Sequence, residues 1–180
     1  GGATFGALSL TGPTGSYTLT FSSGSLTPVT SNSITLGAGS GSRLAIAQQP
    51  SATAANGAVF GQQPVVQLVD GSGNPVAQAG VSVLAAIATG SPTLNGTTTI
   101  TTNGSGTATF TNLSILGTAG VRTLLFGASG FTAVESGPIN ITPGNPTSLV
   151  ITTQPPASVA NGSPLATAPA IRITDVSGNG

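Results

Sequence analysis

Two short runs carry the side-chain patterns best suited to binding chemistry. Asp70, Ser72 and Asn74 stand at i, i+2 and i+4, the spacing with which a calcium loop begins. Asp175, Ser177 and Asn179 repeat that spacing. Each run has one carboxylate and no later bidentate glutamate. The same spacing suits an Asx-type turn, in which the aspartate accepts from backbone N–H groups. The turn is the first reading, and a weak calcium site between domains is the second. Catalytic chemistry finds little to work with. A nucleophilic triad needs a base, usually histidine, and the sequence has none. There is no lysine for a Schiff base or a Lys–Asn crosslink, and no cysteine for a disulfide or a metal thiolate. Glycosidase chemistry needs two nearby carboxylates, whereas Asp70, Glu135 and Asp175 are scattered. Neither an enzymatic activity nor a cofactor is expected.

Asn95, Asn103, Asn112, Asn140 and Asn161 each begin an Asn-x-Ser/Thr pattern. Such patterns arise easily in a chain rich in Thr, Ser and Asn. They read first as hairpin turns, since Asn-Gly favours type I′, and second as glycosylation sites. O-glycosylation of Ser and Thr is equally open. Arg43, Arg122 and Arg172 are single charges. Arg122 and Glu135 are expected to form a surface pair, which contributes little.

Charged residues make up 3% of the chain, against roughly 25% in an ordinary soluble domain. With 38% hydrophobic residues the chain is not of the disordered type. No basic patch exists for phosphates, so nucleic acid is excluded as a partner. No run reaches the roughly 18 apolar residues of a membrane span. Zero net charge removes the usual solubilising repulsion, and suits a protein that lies beside copies of itself. The Thr/Ser/Gly-rich style and the lack of Lys, His, Met and Trp point to an extracellular or cell-surface location. The chain starts at Gly1, which reads as a processed or partial product of something longer.

Segment 1–75 aligns without a gap to 106–180, an offset of 105. Ala3-Thr4-Phe5 matches Ala108-Thr109-Phe110, and Thr18-Leu19 matches Thr123-Leu124. Ala55-Asn56-Gly57 matches Ala160-Asn161-Gly162, and Gly73-Asn74 matches Gly178-Asn179. About a third of the pairs are identical, which marks an internal repeat. The period fits one immunoglobulin-like sandwich of roughly 100 residues. The expected organisation is a C-terminal half-repeat over 1–41, a complete repeat over 42–142, and an N-terminal half-repeat over 143–180.

Alternation predicts seven strands and essentially no helix. Leu44 and Ile46 share a face of the first, which Pro50 ends. Val66 and Leu68 mark the second, and Asp70–Pro75 the turn after it. Val81, Val83, Ala85 and Ile87 make the third, with Thr98 and Ile100 in the fourth. Ala108, Phe110 and Leu113 make the fifth, with Leu124 and Phe126 in the sixth. Val134, Ile139 and Ile141 make the last, running past Pro138. The core is expected from Val, Ile, Leu and Phe on two inner faces. Tyr17 either forms a tyrosine corner or simply packs. Its repeat partner is Arg122, so a corner would not be shared.

The run Gln63-Pro-Val-Val-Gln-Leu-Val-Asp70, then Gly73-Asn-Pro-Val76 and Val81-Ser-Val83, resembles bacterial immunoglobulin-like repeats of the invasin/intimin type. So do Leu94–Thr102 and Gly106-Thr-Ala-Thr-Phe-Thr-Asn-Leu113. The resemblance implies tandem all-β immunoglobulin-like sandwiches serving as a stalk or spacer on a cell surface, sometimes with an adhesive tip.

The expected role is therefore structural: a unit of a bacterial surface filament or stalk, joined head to tail. The two-proline connection Thr142–Pro146 should be stiffer than Gly37–Gly41. Half-repeats would expose a sheet edge and an apolar face. Strands from 145–180 of one copy would complete the sheet begun by 1–36 of the next, although counterparts of 76–105 are missing. The alternative is a window on a longer tandem array. The competing class is an adhesin or carbohydrate-binding module. Its receptor, whether host protein or glycan, is not readable here, and 4% aromatics argue against it.

Overall fold

The computed structural model describes residues 1–180 as an all-β chain of 18 strands. It contains no helix long and apolar enough to cross a membrane. Near the N-terminus lie β1 (Gly15–Tyr17), β2 (Thr20–Phe21), β3 (Val29–Thr30) and β4 (Ile34–Leu36). The central region holds β5 (Arg43–Gln48), β6 (Thr53–Ala55), β7 (Val65–Val69), β8 (Ser82–Ile87), β9 (Thr93–Asn95) and β10 (Thr99–Thr101). It continues with β11 (Thr107–Thr109), β12 (Ser114–Leu116), β13 (Gly120–Arg122), β14 (Leu124–Gly127), β15 (Val134–Glu135) and β16 (Ile139–Thr142). The C-terminal ladder is β17 (Ser148–Thr153) with β18 (Ala170–Thr174).

The central region is sandwich-like. One layer has the order β11-β7-β5. The other combines β10-β8-β14-β15 with β13-β16-β6. These two ladders run into each other at Ser136. Its N–H donates to the Leu124 carbonyl, and its hydroxyl accepts from the Leu124 N–H. β6 runs parallel to β16, and the other pairings are antiparallel. β9 and β12 form a separate two-stranded ladder.

Alternation decides which side chains fill the space between the layers. Val83 and Ala85 on β8 are buried, and Leu84 between them is exposed. Leu124 and Phe126 on β14 are buried on either side of exposed Leu125. Ile139 and Ile141 do the same around Asn140 on β16. Together with Leu44, Phe60, Val66, Leu68, Ala108, Phe110, Leu113 and Ile115 they form one core of 14 residues. Phe110 and Phe126 meet at its centre, ring centroids 5.4 Å apart and tilted. Gly106 permits the turn into β11. Its φ is +77°, and a Cβ there would fall 1.9 Å from the Val76 carbonyl oxygen.

Several expectations need correction. The central region is cut into more pieces than seven strands. Val134 and Ile139–Ile141 do not share one strand. Pro138 lacks an N–H, and β15 and β16 bond to different neighbours on either side of it. The Arg122–Glu135 pair does not form, because the two residues lie in different ladders. Arg122 donates to Thr118 and Val121, and Glu135 accepts from the Thr123 hydroxyl. None of the Asn-Gly pairs makes a type I′ turn. That turn needs positive φ at both central residues, and Asn95, Asn103 and Asn161 all have negative φ. Moreover β9, β10 and β11 belong to three different ladders, so Asn95 and Asn103 join separate ladders rather than hairpin partners.

Candidate functional site

The run at Asp70 follows β7. The chain turns back on itself with the Asp70 N–H donating to the Asn74 carbonyl and the Gly73 N–H to the Asp70 carbonyl. Gly73 sits at φ +89°, which a side chain would resist. The carboxylate then fills the turn from inside. Its Oδ1 accepts from the Ser72 and Asn74 N–H groups, each at 2.9 Å. Its Oδ2 accepts from the Asn74 amide at 2.9 Å and from the Gly39 N–H at 2.8 Å. This is the Asx-type turn, extended by a bond to the connecting segment Gly37–Gly41. Four N–H donors aim their hydrogens at the carboxylate, where a calcium ion would need a cage of oxygens.

Asn74 carries the grip further. Its Nδ2 also donates to the Gly12 carbonyl at 2.9 Å, and its Oδ1 accepts the Thr14 N–H at 2.8 Å. One turn thus ties together the loop before β1, the connection after β4 and the end of β7. Asp70 and Asn74 are both buried, and their polar atoms are satisfied by these bonds.

The same bonds recur at Asp175. Its Oδ1 accepts from Ser177 and Asn179 N–H, and its Oδ2 from the Asn179 amide and the Gly144 N–H. Asn179 Nδ2 donates to the Gly117 carbonyl, and its Oδ1 accepts the Ala119 N–H. Each partner lies 105 positions beyond its counterpart at Asp70. The connections Gly37–Gly41 and Thr142–Pro146 are therefore pinned alike, through Gly39 and Gly144. The second joint has one more member. Asn56 donates from Nδ2 to Asp175 Oδ2 and to Ser177 Oγ, both at 2.9 Å, and its Oδ1 accepts the Gly117 N–H at 2.8 Å.

No family model matches the chain, and no curated protein matches it. The geometry is thus the ground for a functional reading.

The loops that receive Asn74 and Asn179 are themselves braced. The Tyr17 hydroxyl donates to the Pro13 carbonyl, four residues back, at 2.8 Å. That is the bond of a tyrosine corner. Arg122, at the equivalent position, donates from Nη2 to the Thr118 carbonyl at 3.1 Å. The corner bond is shared after all, because a guanidinium reaches the same acceptor as a phenol.

The structure brings Asp70, Ser72 and Asn74 together in one turn and Asp175, Ser177 and Asn179 in another. The two turns do not meet. The five sequon asparagines are all exposed, and they hold different places. Asn95 ends β9, and Asn140 lies within β16. Asn103 accepts from Ser105 and Thr107, and Asn112 bonds Thr97 across the loops. Asn161 sits on the turn closed by Ser163 N–H to the Ala160 carbonyl. Gly12, Thr14, Gly39, Asn56, Gly117, Ala119 and Gly144 belong to the joints without a local sequence signal. Several of them were nevertheless visible as matched positions of the repeat.

The Asn74 amide, then the Gly39 N–H and the turn's own N–H groups, hold the Asp70 carboxyl at about 2, although burial opposes them. At Asp175 burial is the largest influence and pushes upward. The Asn179 amide, the Gly144 N–H and the Asn56 amide together outweigh it and hold the carboxyl well below its ordinary range. Both groups are depressed in the folded joint, so the joint favours the charged form. Its stabilisation is complete above the unfolded value of about 3.9 and is lost as pH falls through the folded value. The Gly39 amide proton shift should therefore titrate with a midpoint near 2. A midpoint near the unperturbed value would mean that the Asn74, Gly39 and Ser72 donors together do not hold the carboxylate.

Proposed function

We propose that the chain is a structural, non-enzymatic element of an extracellular bacterial stalk or filament. It is built of tandem immunoglobulin-like domains with a period of 105 residues, joined head to tail. The observation that carries this reading is the recurrence of one hydrogen-bonded joint, atom for atom, at Asp70 and Asp175. A carboxylate whose acceptors are taken by backbone and amide N–H groups serves as a clamp. Two such clamps in series would set the angle between successive domains.

The apolar surface supports the same reading. Phe5, Leu8 and Leu10 are 60%, 63% and 37% exposed, while Phe110, Leu113 and Ile115, their counterparts, are buried. Ile171 and Ile173 are 64% and 60% exposed, and their counterparts Val66 and Leu68 are buried. The segments 1–41 and 143–180 thus carry opposite halves of one core. All of the 14 core residues except Val83 and Ala85 have an apolar counterpart in one segment or the other. Joining the two segments from neighbouring copies by strand complementation would cover both faces, leaving the places of β8, β9 and β10 to be closed by other contacts.

Electron microscopy of the chain at neutral pH tests this proposal. Uniform head-to-tail filaments are the expected result. Single particles at every concentration would sink assembly from this chain alone.

A further inference from the structure

We infer that the open side of the Asp70 joint receives the Asn161–Gly162 turn of a second copy of this chain. This inference rests on the head-to-tail reading above and names the contact that would carry it. The Asp175 joint shows what a closed joint contains. There the Asn56 side chain lies between the Gly117 N–H on one side and Asp175 and Ser177 on the other. At the Asp70 joint the counterparts of those groups, Gly12, Asp70 and Ser72, line a cavity of about 300 Å³. No asparagine fills it. Asp70 Oδ2 accepts two N–H donors where Asp175 Oδ2 accepts three.

The matching knob is on the same chain. Ala160-Asn161-Gly162 repeats Ala55-Asn56-Gly57. Both turns close alike, Ala58 N–H to Ala55 carbonyl at 2.9 Å and Ser163 N–H to Ala160 carbonyl at 3.0 Å. Gly57 and Gly162 share φ values of +78° and +80°. The Asn161 turn is therefore preformed in the backbone shape of the Asn56 turn, and Asn161 is exposed. Seated in the cavity, its Nδ2 donates to Asp70 Oδ2 and Ser72 Oγ, and its Oδ1 accepts the Gly12 N–H. The apolar faces beside knob and cavity are the two complementary halves of the core, so docking one aligns the other. Knob and cavity are different surfaces, so the contact is heterologous and propagates.

The absence of native cysteine makes the test clean. A chain carrying Ser40→Cys, on the cavity wall, and Ser163→Cys, on the turn beside Asn161, keeps the contact side chains and is treated with a short bismaleimide. The result expected is a covalent ladder of multimers. Equimolar single variants should give dimers only. Ala58→Cys with Asn145→Cys, the equivalent pair at the closed joint, is the control, and it should close within one chain without change of mass class. In a second measurement, Asn161→Ala should weaken association of the otherwise native chain about tenfold or more, and Asn161→Asp should abolish it by setting two carboxylates together. Filaments that persist unchanged in Asn161→Ala, with no 40–163 crosslink while the control closes, would overturn this contact and leave the head-to-tail reading standing. A native chain that does not associate, with a double-cysteine variant that forms no multimers, would overturn both.

Discussion

Replacing Phe126 by alanine should lower the unfolding free energy by about 3–5 kcal/mol, the range for truncating a buried phenylalanine. Phe126 is fully buried on β14, between β8 and β15, and its ring packs on Phe110. Its removal takes the aromatic contact and leaves a cavity that rigid neighbours on both layers cannot fill. At roughly 4–8 °C per kcal/mol for a domain near this size, the melting point should fall by more than 10 °C or so. Phe21, the same position 105 residues earlier, makes the informative comparison. It packs on Phe5 with centroids 5.2 Å apart, but Phe5 is itself 60% exposed. Phe21→Ala should therefore cost the free chain under about 1 kcal/mol, in the manner of a poorly buried site. In assembled material its cost should rise toward that of Phe126→Ala if the face is covered there. Denaturant unfolding of each variant, with and without assembly, measures both numbers. A Phe126→Ala effect below about 1 kcal/mol would mean that the core has been misassigned.

The all-β character and the central core were legible because alternation is a local signal. Thr107-Ala108-Thr109-Phe110 and Ile139-Asn140-Ile141 each state which face is buried, whereas exposed Leu84 and Leu125 are as apolar as the buried residues beside them. Short segments escaped this reading. β6 and β9 have three residues apiece, with only Ala54 and Leu94 turned partly inward. One residue has no period. Pro138 was visible, but the exchange of partners that it enforces depends on Ser136 bonding back to Leu124. The Asp70 turn was legible because an Asx turn closes within four residues. Its reach to Gly12 and Gly39 was not, since those contacts span 62 and 31 positions. Asn56 was the hardest, lying 119 positions from Asp175. The repeat held the missing clue, for the Ala-Asn-Gly match joined two positions whose shared role only the joint explains. Arg122 was misjudged through comparing residue types instead of donors. A phenol and a guanidinium differ in charge and shape, yet both can hand a hydrogen to the carbonyl four residues back.

Asp175→Ala should release the joint while leaving the central sandwich folded. The carboxylate accepts from Ser177, Asn179 and Gly144 N–H groups and from the Asn56 and Asn179 amides. Truncation removes the common acceptor of all of them. Donors left without a partner inside a buried joint are costly, so the joint opens to let water reach them. The Gly144, Ser177 and Asn179 amides should then exchange with solvent at least about tenfold faster. Amides of β7, β8 and β14 should keep their protection, because their bonds lie within the sandwich. Asn56→Ala should give a smaller effect, since the turn and the Gly144 bond survive it. Asp175→Asn should fall close to the alanine variant, because an amide NH₂ would face N–H groups that need an acceptor. The segment 143–180 should also lose its fixed orientation, seen as a broader intramolecular pair-distance distribution in small-angle scattering. If Gly144 stays protected in Asp175→Ala, the connection is held by contacts other than the carboxylate. The clamp would then be a local turn with no part in setting the angle between domains.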